Sequence, residues 1–174
     1  MQIADFMLSH LAADGPHPDH AEELRLFGQL TGSWIIEMTS IGPDGSRDQF
    51  DAEWHFGWVL DGRSVQDVLI TRTTDGKVVG YGSTVRSFDP KRGLWWIVWQ
   101  DPLAGEFAVL LARAEADRIV LDGTWNVGDP SRRFRWTFSG ITPDRFRWEG
   151  SVLENGEWHV REEMQARRSP DGHF

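Results

Sequence analysis

Arg133-Phe134-Arg135-Trp136-Thr137-Phe138-Ser139-Gly140-Ile141-Thr142-Pro143-Asp144-Arg145-Phe146-Arg147-Trp148-Glu149-Gly150-Ser151-Val152 is the stretch that decides the fold. Phe134, Trp136 and Phe138 alternate with Arg133, Arg135 and Thr137. After Thr142-Pro143-Asp144 the alternation resumes, with Phe146, Trp148 and Val152 opposing Arg145, Arg147 and Glu149. Successive side chains of a strand point to opposite faces, so an apolar residue at every second position means one dry face and one wet one. The stretch therefore reads as a β-hairpin. Placing Phe138 opposite Phe146 also sets Trp136 opposite Trp148 and Arg135 opposite Glu149, each a favourable cross-strand pair, and this is the expected register.

The same rhythm extends outward. In 49–60, Phe50, Ala52, Trp54, Phe56, Trp58 and Leu60 share one face, while Gln49, Asp51, Glu53 and His55 share the other. Turn signals recur throughout: Gly42-Pro43-Asp44-Gly45, Leu60-Asp61-Gly62-Arg63, Thr74-Asp75-Gly76-Lys77, Asp89-Pro90-Lys91-Arg92-Gly93, Asp101-Pro102, Glu115-Ala116-Asp117, Gly128-Asp129-Pro130-Ser131, Thr142-Pro143-Asp144 and Asn155-Gly156. These residues set φ, tolerate positive φ or bond back to the backbone. Every proline between 32 and 168 falls at such a break, as strand ladders require. The reading is an antiparallel meander of about ten strands. A flat sheet that wide would leave two open edges and an uncovered apolar face. It should instead close into an all-β, up-and-down barrel, large enough to leave a cavity inside.

The first thirty residues differ. Ile3, Phe6, Met7 and Leu11 have the spacing of a short amphipathic helix, broken by Gly15-Pro16. Pro18-Asp19, with Glu22 three residues on, resembles a capped helix start, and Ala21, Leu24, Phe27 and Leu30 line one face of a second helix. Neither helix could stand alone at this length, so both should lie against the barrel. The expected organisation is a single domain over 1–174: a helical segment 1–30 capping one end, a barrel 31–168 and a tail 169–174.

Composition excludes several classes. With 40% hydrophobic and 26% charged residues among 174, the chain is globular rather than disordered. It has no cysteine, which removes disulfides, thiolate catalysis and Cys-ligated metals. A net charge of −9 disfavours nucleic acid as a partner. No apolar run is long enough for a membrane span, and Met1-Gln2-Ile3-Ala4-Asp5-Phe6 lacks a basic flank, so no membrane insertion and a cytoplasmic location are expected.

Leu30-Thr31-Gly32-Ser33-Trp34 lies between the second helix and the first strand, and it resembles the Gly-x-Trp signature of the calycin superfamily of lipocalins and fatty-acid-binding proteins. The resemblance covers about residues 22–168. It implies a tryptophan closing one barrel end against an arginine from a late strand, a place that Arg167 or Arg168 would fill. Phe56-Gly57-Trp58-Val59-Leu60-Asp61-Gly62-Arg63-Ser64-Val65-Gln66-Asp67-Val68 also resembles the second hairpin of uncharacterised bacterial calycin-like domains. A haem-binding branch of that superfamily carries glycines after Gly-x-Trp and a late proximal histidine. Here Ile35-Ile36-Glu37 replaces the glycines and His159 is the only late strand histidine, which counts against haem. No cofactor is implied.

Ten tryptophans and ten phenylalanines beside one tyrosine suit the wall of a pocket for a hydrophobic or aromatic molecule. Trp54, Trp58, Trp136 and Trp148 are the lumen candidates. In Leu94-Trp95-Trp96-Ile97-Val98-Trp99 both faces are apolar, and whichever set faces outward would suit a homodimer interface. Polar residues interrupting apolar rows are the ligand-orienting candidates: Glu162 in Trp158-Val160-Glu162-Met164 (alternate positions), Asp67 between Val65 and Leu69, Tyr81 among Val79, Ser83 and Val85, and Arg113 after Phe107, Val109 and Leu111. His17, His20 and Glu23 read as a solvated patch rather than a metal site, His55 as surface, and His159 as part of an exterior row with Arg161, Glu163, Gln165 and Arg167. The function expected is binding of a small hydrophobic or aromatic ligand in the lumen. The alternatives are an isomerase, cyclase or hydratase using a lumen carboxylate as acid or base, and haem binding.

Overall fold

A computed structural model describes residues 3–125 and 131–170, the Trp125 side chain excepted. The turn expected at Gly128-Asp129-Pro130 and most of the 169–174 tail lie outside the described residues. In chain order the elements are α1 (Ile3–Leu11), β1 (Ala12–Ala13), a 3-10 turn (Pro18–His20), α2 (Ala21–Gly28), β2 (Gly32–Ile41), β3 (Arg47–Val59), β4 (Ser64–Arg72), β5 (Val78–Asp89), β6 (Leu94–Asp101), β7 (Glu106–Glu115), β8 (Arg118–Trp125), β9 (Arg133–Ser139), β10 (Arg145–Glu154) and β11 (Glu157–Arg168). Strands β2 to β11 form one antiparallel ring. The sheet order runs β3-β2-β11-β10-β9-β8-β7-β6-β5-β4, and β3 pairs again with β4 to close it. The two-residue β1 adds Ala12 opposite Val59, on the flank of β3 that β2 leaves free beyond Gly32.

One barrel end is sealed from two directions. Leu24 and Phe27 of α2, with Leu30 after it, are fully buried against the core. Trp34 is also fully buried. Its indole donates to the Leu30 carbonyl at 2.7 Å, and the Arg168 guanidinium sits 4.1 Å above its ring. Arg168 donates further to the carbonyls of Thr31 and Pro143. Of the two arginines the resemblance allowed, Arg168 fills the place, whereas Arg167 pairs with Glu37 on the outside. Gly32 has φ +116°, and a Cβ there would strike the Arg168 guanidinium, so this latch requires glycine.

Several local expectations change. The β9–β10 hairpin is slipped by two residues: Phe138 faces Trp148, Trp136 faces Gly150 and Arg135 faces Ser151. A slip of two keeps every side chain on its face, so apolar alternation alone does not select between the two registers. On β5, Tyr81, Ser83 and Val85 point outward and Gly82, Thr84 and Arg86 are buried inside, while Val79, the extra residue where Thr71 pairs with Gly80 and Arg72 with Val78, borders the cavity. The cause lies on β4, where Asp67 faces inward opposite Thr84 and needs a cation within the barrel. On β7, Ala108, Leu110 and Ala112 are inside, so Phe107, Leu111 and Arg113 lie outside. On β6, Trp95 and Ile97 are buried and Trp96 and Val98 exposed. Helix α1 forms at the expected spacing but buries none of its residues. The Leu11 carbonyl at its end accepts from the Leu60 amide at 2.9 Å, and the Ala12-Ala13 segment after it joins the sheet. The second helix is preceded by a turn capped by the His17 ring, which accepts from the Asp19 amide, rather than by an Asp19 carboxylate.

The latch predicts an asymmetry between adjacent arginines. Arg168→Ala removes a half-buried cation–π contact and two side-chain hydrogen bonds to carbonyls, and should lower stability by about 2–4 kcal/mol. Arg167→Ala removes only an exposed pair and should cost about 0–1 kcal/mol. Urea unfolding of both variants measures the difference, and equal losses would remove the latch from the account.

Candidate functional site: the barrel lumen

The inward rows pack tightly at the α2 end and loosen toward the other. Trp54 contacts Phe56 at 4.8 Å, Trp34 meets Phe146 edge-on at 4.7 Å, and Phe27 meets Trp95 at 4.9 Å. Beyond them lies a cavity of about 540 Å³, within the range typical of small-molecule sites. Trp54, Trp99, Trp136, Trp148, Phe134 and Leu69 supply its aromatic and aliphatic wall, with Met38, Ile41, Phe50, Val152 and Met164 around them. Asp67, Thr71, Thr84, Asp101, Glu106, Arg161 and Glu162 supply its polar atoms.

Of the seven residues singled out as ligand contacts, five meet here: Trp54, Asp67, Trp136, Trp148 and Glu162. Trp58 does not. It lies on the inward row but past the floor, beneath Gly28 of α2, and borders a separate groove of about 810 Å³ along that helix. Tyr81 does not either, since its ring is half exposed on the outer face. Sequence reasoning missed Arg86, Trp99, Asp101, Glu106 and Arg161. Arg86, Glu106 and Asp101 sit on faces that looked wet or in a turn. The row Gly80-Gly82-Thr84-Arg86-Phe88, small and polar with one cation, was the available signal. Arg161 is the extra residue of an irregularity in which Gly150 pairs with Glu162 and Ser151 with Val160. That shift brings Arg161 to the cavity wall, sets His159 opposite the cavity-lining Val152, and turns Trp158 outward onto Arg135 at 4.5 Å. His159 therefore leaves the exterior row assigned to it. His55 stays on the outer face, bonded to Ser33 at 2.9 Å. His17 turns toward Asp61 and Arg63 while His20 lies near Glu23, so the two do not converge.

The floor holds a buried charge pair. Asp67 and Arg86 are essentially inaccessible and 2.6 Å apart, and the Thr84 amide donates to Asp67 at 2.9 Å. Phe27, Phe56 and Phe138 surround the guanidinium at 5.4, 5.2 and 6.0 Å. Burial pushes the Asp67 carboxyl up, and the Arg86 charge opposes it. Nearer the mouth, Asp101 is occupied by the amides of Leu103 and Ala104 at 2.8 and 3.1 Å. Arg161 is bound to Glu154 at 2.6 Å. Glu162 is pushed up to about 7, first by burial and then by the negative charge of Glu106. A carboxyl with that value exchanges its proton near neutrality.

The fold is that of calycin-like barrels. The crystal structure of Rv2717c from M. tuberculosis is similar over 86% of this chain and 98% of that one, at 18% identity and a TM-score of 0.64. The S-type phycobiliprotein lyase CPES from Guillardia theta is similar over 83% and 91%, at 14% identity and a TM-score of 0.61. No protein-family model and no curated protein sequence matches the chain. Among the described residues no helix is long and apolar enough to cross a membrane.

Glu162 should leave a signature in stability. Its folded-state value lies above the ordinary 4.5, so the folded protein binds a proton that the unfolded chain has released. The penalty is absent below about pH 4.5 and develops as pH rises through about 7. Glu162→Gln should therefore gain stability relative to the parent between pH 5 and pH 8.5 (roughly the two sides of that transition), while Glu106, Asp101 and Arg161 remain common to both. Urea midpoints at the two values check this, and a pH-independent difference would refute it.

Proposed function

We propose that the protein binds a small hydrophobic or aromatic molecule in the barrel lumen, in the cytoplasm. One observation carries this reading: a cavity of about 540 Å³ remains inside the barrel, and four tryptophans line it. Indole faces bury large areas at little entropic cost, and apolar burial contributes roughly 25 cal/mol per Å². The fold-level likeness to a phycobiliprotein lyase agrees with the reading, although it is a likeness of fold. The test uses N-phenyl-1-naphthylamine, a neutral fluorescent probe. Its emission should rise saturably, and Trp136→Ala or Trp148→Ala should weaken binding at least about tenfold beyond any loss of stability. A linear, unsaturable response, or normal binding by both variants, would overturn it.

A second copy of the chain is the partner we propose for the outer face of β6 and β7. Trp96 there pairs with Leu111, Val98 with Val109 and Gln100 with Phe107, and Trp96, Val98, Phe107 and Leu111 are each about 40% exposed. Contiguous apolar surface of this kind favours association. Sedimentation velocity should find a dimer that Trp96→Glu converts to monomer. A monomer at every concentration would dismiss the interface.

A further inference from the structure

The charges around the cavity narrow the chemistry of its ligand. Asp67 is neutralised by Arg86, and Asp101 is engaged by backbone amides. Arg161, the one cation among the described residues of the wall, is committed to Glu154. Glu106 and Glu162 are left. Both line the cavity, neither has a hydrogen-bond or cationic partner among the described residues, and the charge of one is felt by the other. Two uncompensated carboxylates facing an aromatic chamber are costly unless a cation arrives from outside. Tryptophan faces are themselves the best aromatic receptors for cations.

A second, independent feature points to a ligand. Trp148 is 4% exposed and lines the cavity, yet its indole N–H has no hydrogen-bond partner among the described residues, whereas the N–H of Trp54 is turned to the Asp67 carboxylate. A buried indole N–H normally finds an acceptor. A divalent metal fits less well than an organic cation. No group of three or more His, Asp or Glu able to hold a metal occurs among the described residues, and hard divalent ions require more oxygen ligands than two carboxylates supply.

We propose that the lumen receives an organic amine: its ammonium held by Glu106 and Glu162, its apolar body laid against Trp54, Trp99, Trp136 and Trp148, and a hydrogen-bond acceptor presented to the Trp148 N–H. The proposal rests on the lumen reading and deepens it. Anionic ligands are disfavoured by the same charges that attract the amine.

Three probes sharing one fluorophore separate the possibilities at a pH of about 8, where an alkylamine is still protonated. Dansylcadaverine carries an ammonium, N-pentyl dansylamide is its neutral counterpart and dansylglycine is anionic. Energy transfer from tryptophan reports binding. Dansylcadaverine should bind about tenfold or more tightly than the neutral compound, and dansylglycine weakest. Glu106→Gln with Glu162→Gln should bring the amine-to-neutral affinity ratio close to one, and each single change should reduce it part of the way, which keeps the test available should the double variant fold poorly. Equal affinities in the parent, or a ratio that survives these substitutions, would overturn the amine while leaving the lumen reading standing. If none of the three compounds nor N-phenyl-1-naphthylamine saturates, both fall together.

Discussion

Closure of the sheet is the constraint on which the rest depends. β2 bonds to β11 along Trp34–Ser40, and β3 bonds to β4 along Asp51–Val59, so each of the ten strands has a partner on both sides. No strand in the ring is left with an open edge, which removes the aggregation hazard of a wide flat sheet. The same closure makes an enclosed volume unavoidable, because a ring this large is wider than its side chains can fill throughout. One end is then stoppered by Phe27 and its neighbours on α2 and by Trp34 under Arg168. The hollow is therefore a consequence of strand number and of which end the helix covers.

Small residues keep the other end empty. Gly80, Gly150, Ser40 and Thr71 stand on the wall where larger side chains would span the lumen. Gly150 has a specific part in this: a Cβ there would lie 2.7 Å from the six-membered ring of Trp148. Without it the indole lies flat along its own strand, with its neighbours Trp54 and Trp136 at 6.3 and 5.7 Å. Any side chain at position 150 would push that ring into the cavity. Sequence and void are connected through that one missing atom.

The barrel was legible from the alternation in 49–60 and 133–152, from turn residues at every break, and from Gly32-Ser33-Trp34 ahead of the first strand. These signals are local and redundant, and they agree with one another. What failed depends on contacts between distant strands. The apolar row of β5 faces out because Asp67 on β4 draws Arg86 inward, a choice that periodicity on β5 alone contradicts. A two-residue hairpin slip is invisible to alternation, and the irregularity at Gly150 and Ser151 exchanges the faces of β11 without marking its sequence. Consequently Trp54, Trp136 and Trp148 and two of the carboxylates, Asp67 and Glu162, could be read from the chain, whereas Arg86, Trp99, Asp101, Glu106 and Arg161 could not.

The placement of charge along the barrel axis explains why the lumen should orient what enters it. A buried ion pair is often no better for stability than apolar residues of the same volume, whereas removing one partner is severely costly. Asp67 and Arg86 thus persist as a unit, their charges cancelling at 2.6 Å among Phe27, Phe56 and Phe138. Because they cancel, the floor presents an aromatic and electrically quiet surface. Among the described residues Glu106 and Glu162 have no such counter-charge, so the uncompensated negative potential lies higher on the wall. A molecule with an apolar body and one polar end then has a single favourable sense of entry, body first. Reversing it would set the polar end against indole and phenyl rings and leave both carboxylates facing hydrocarbon, which costs more at each end than either contact returns.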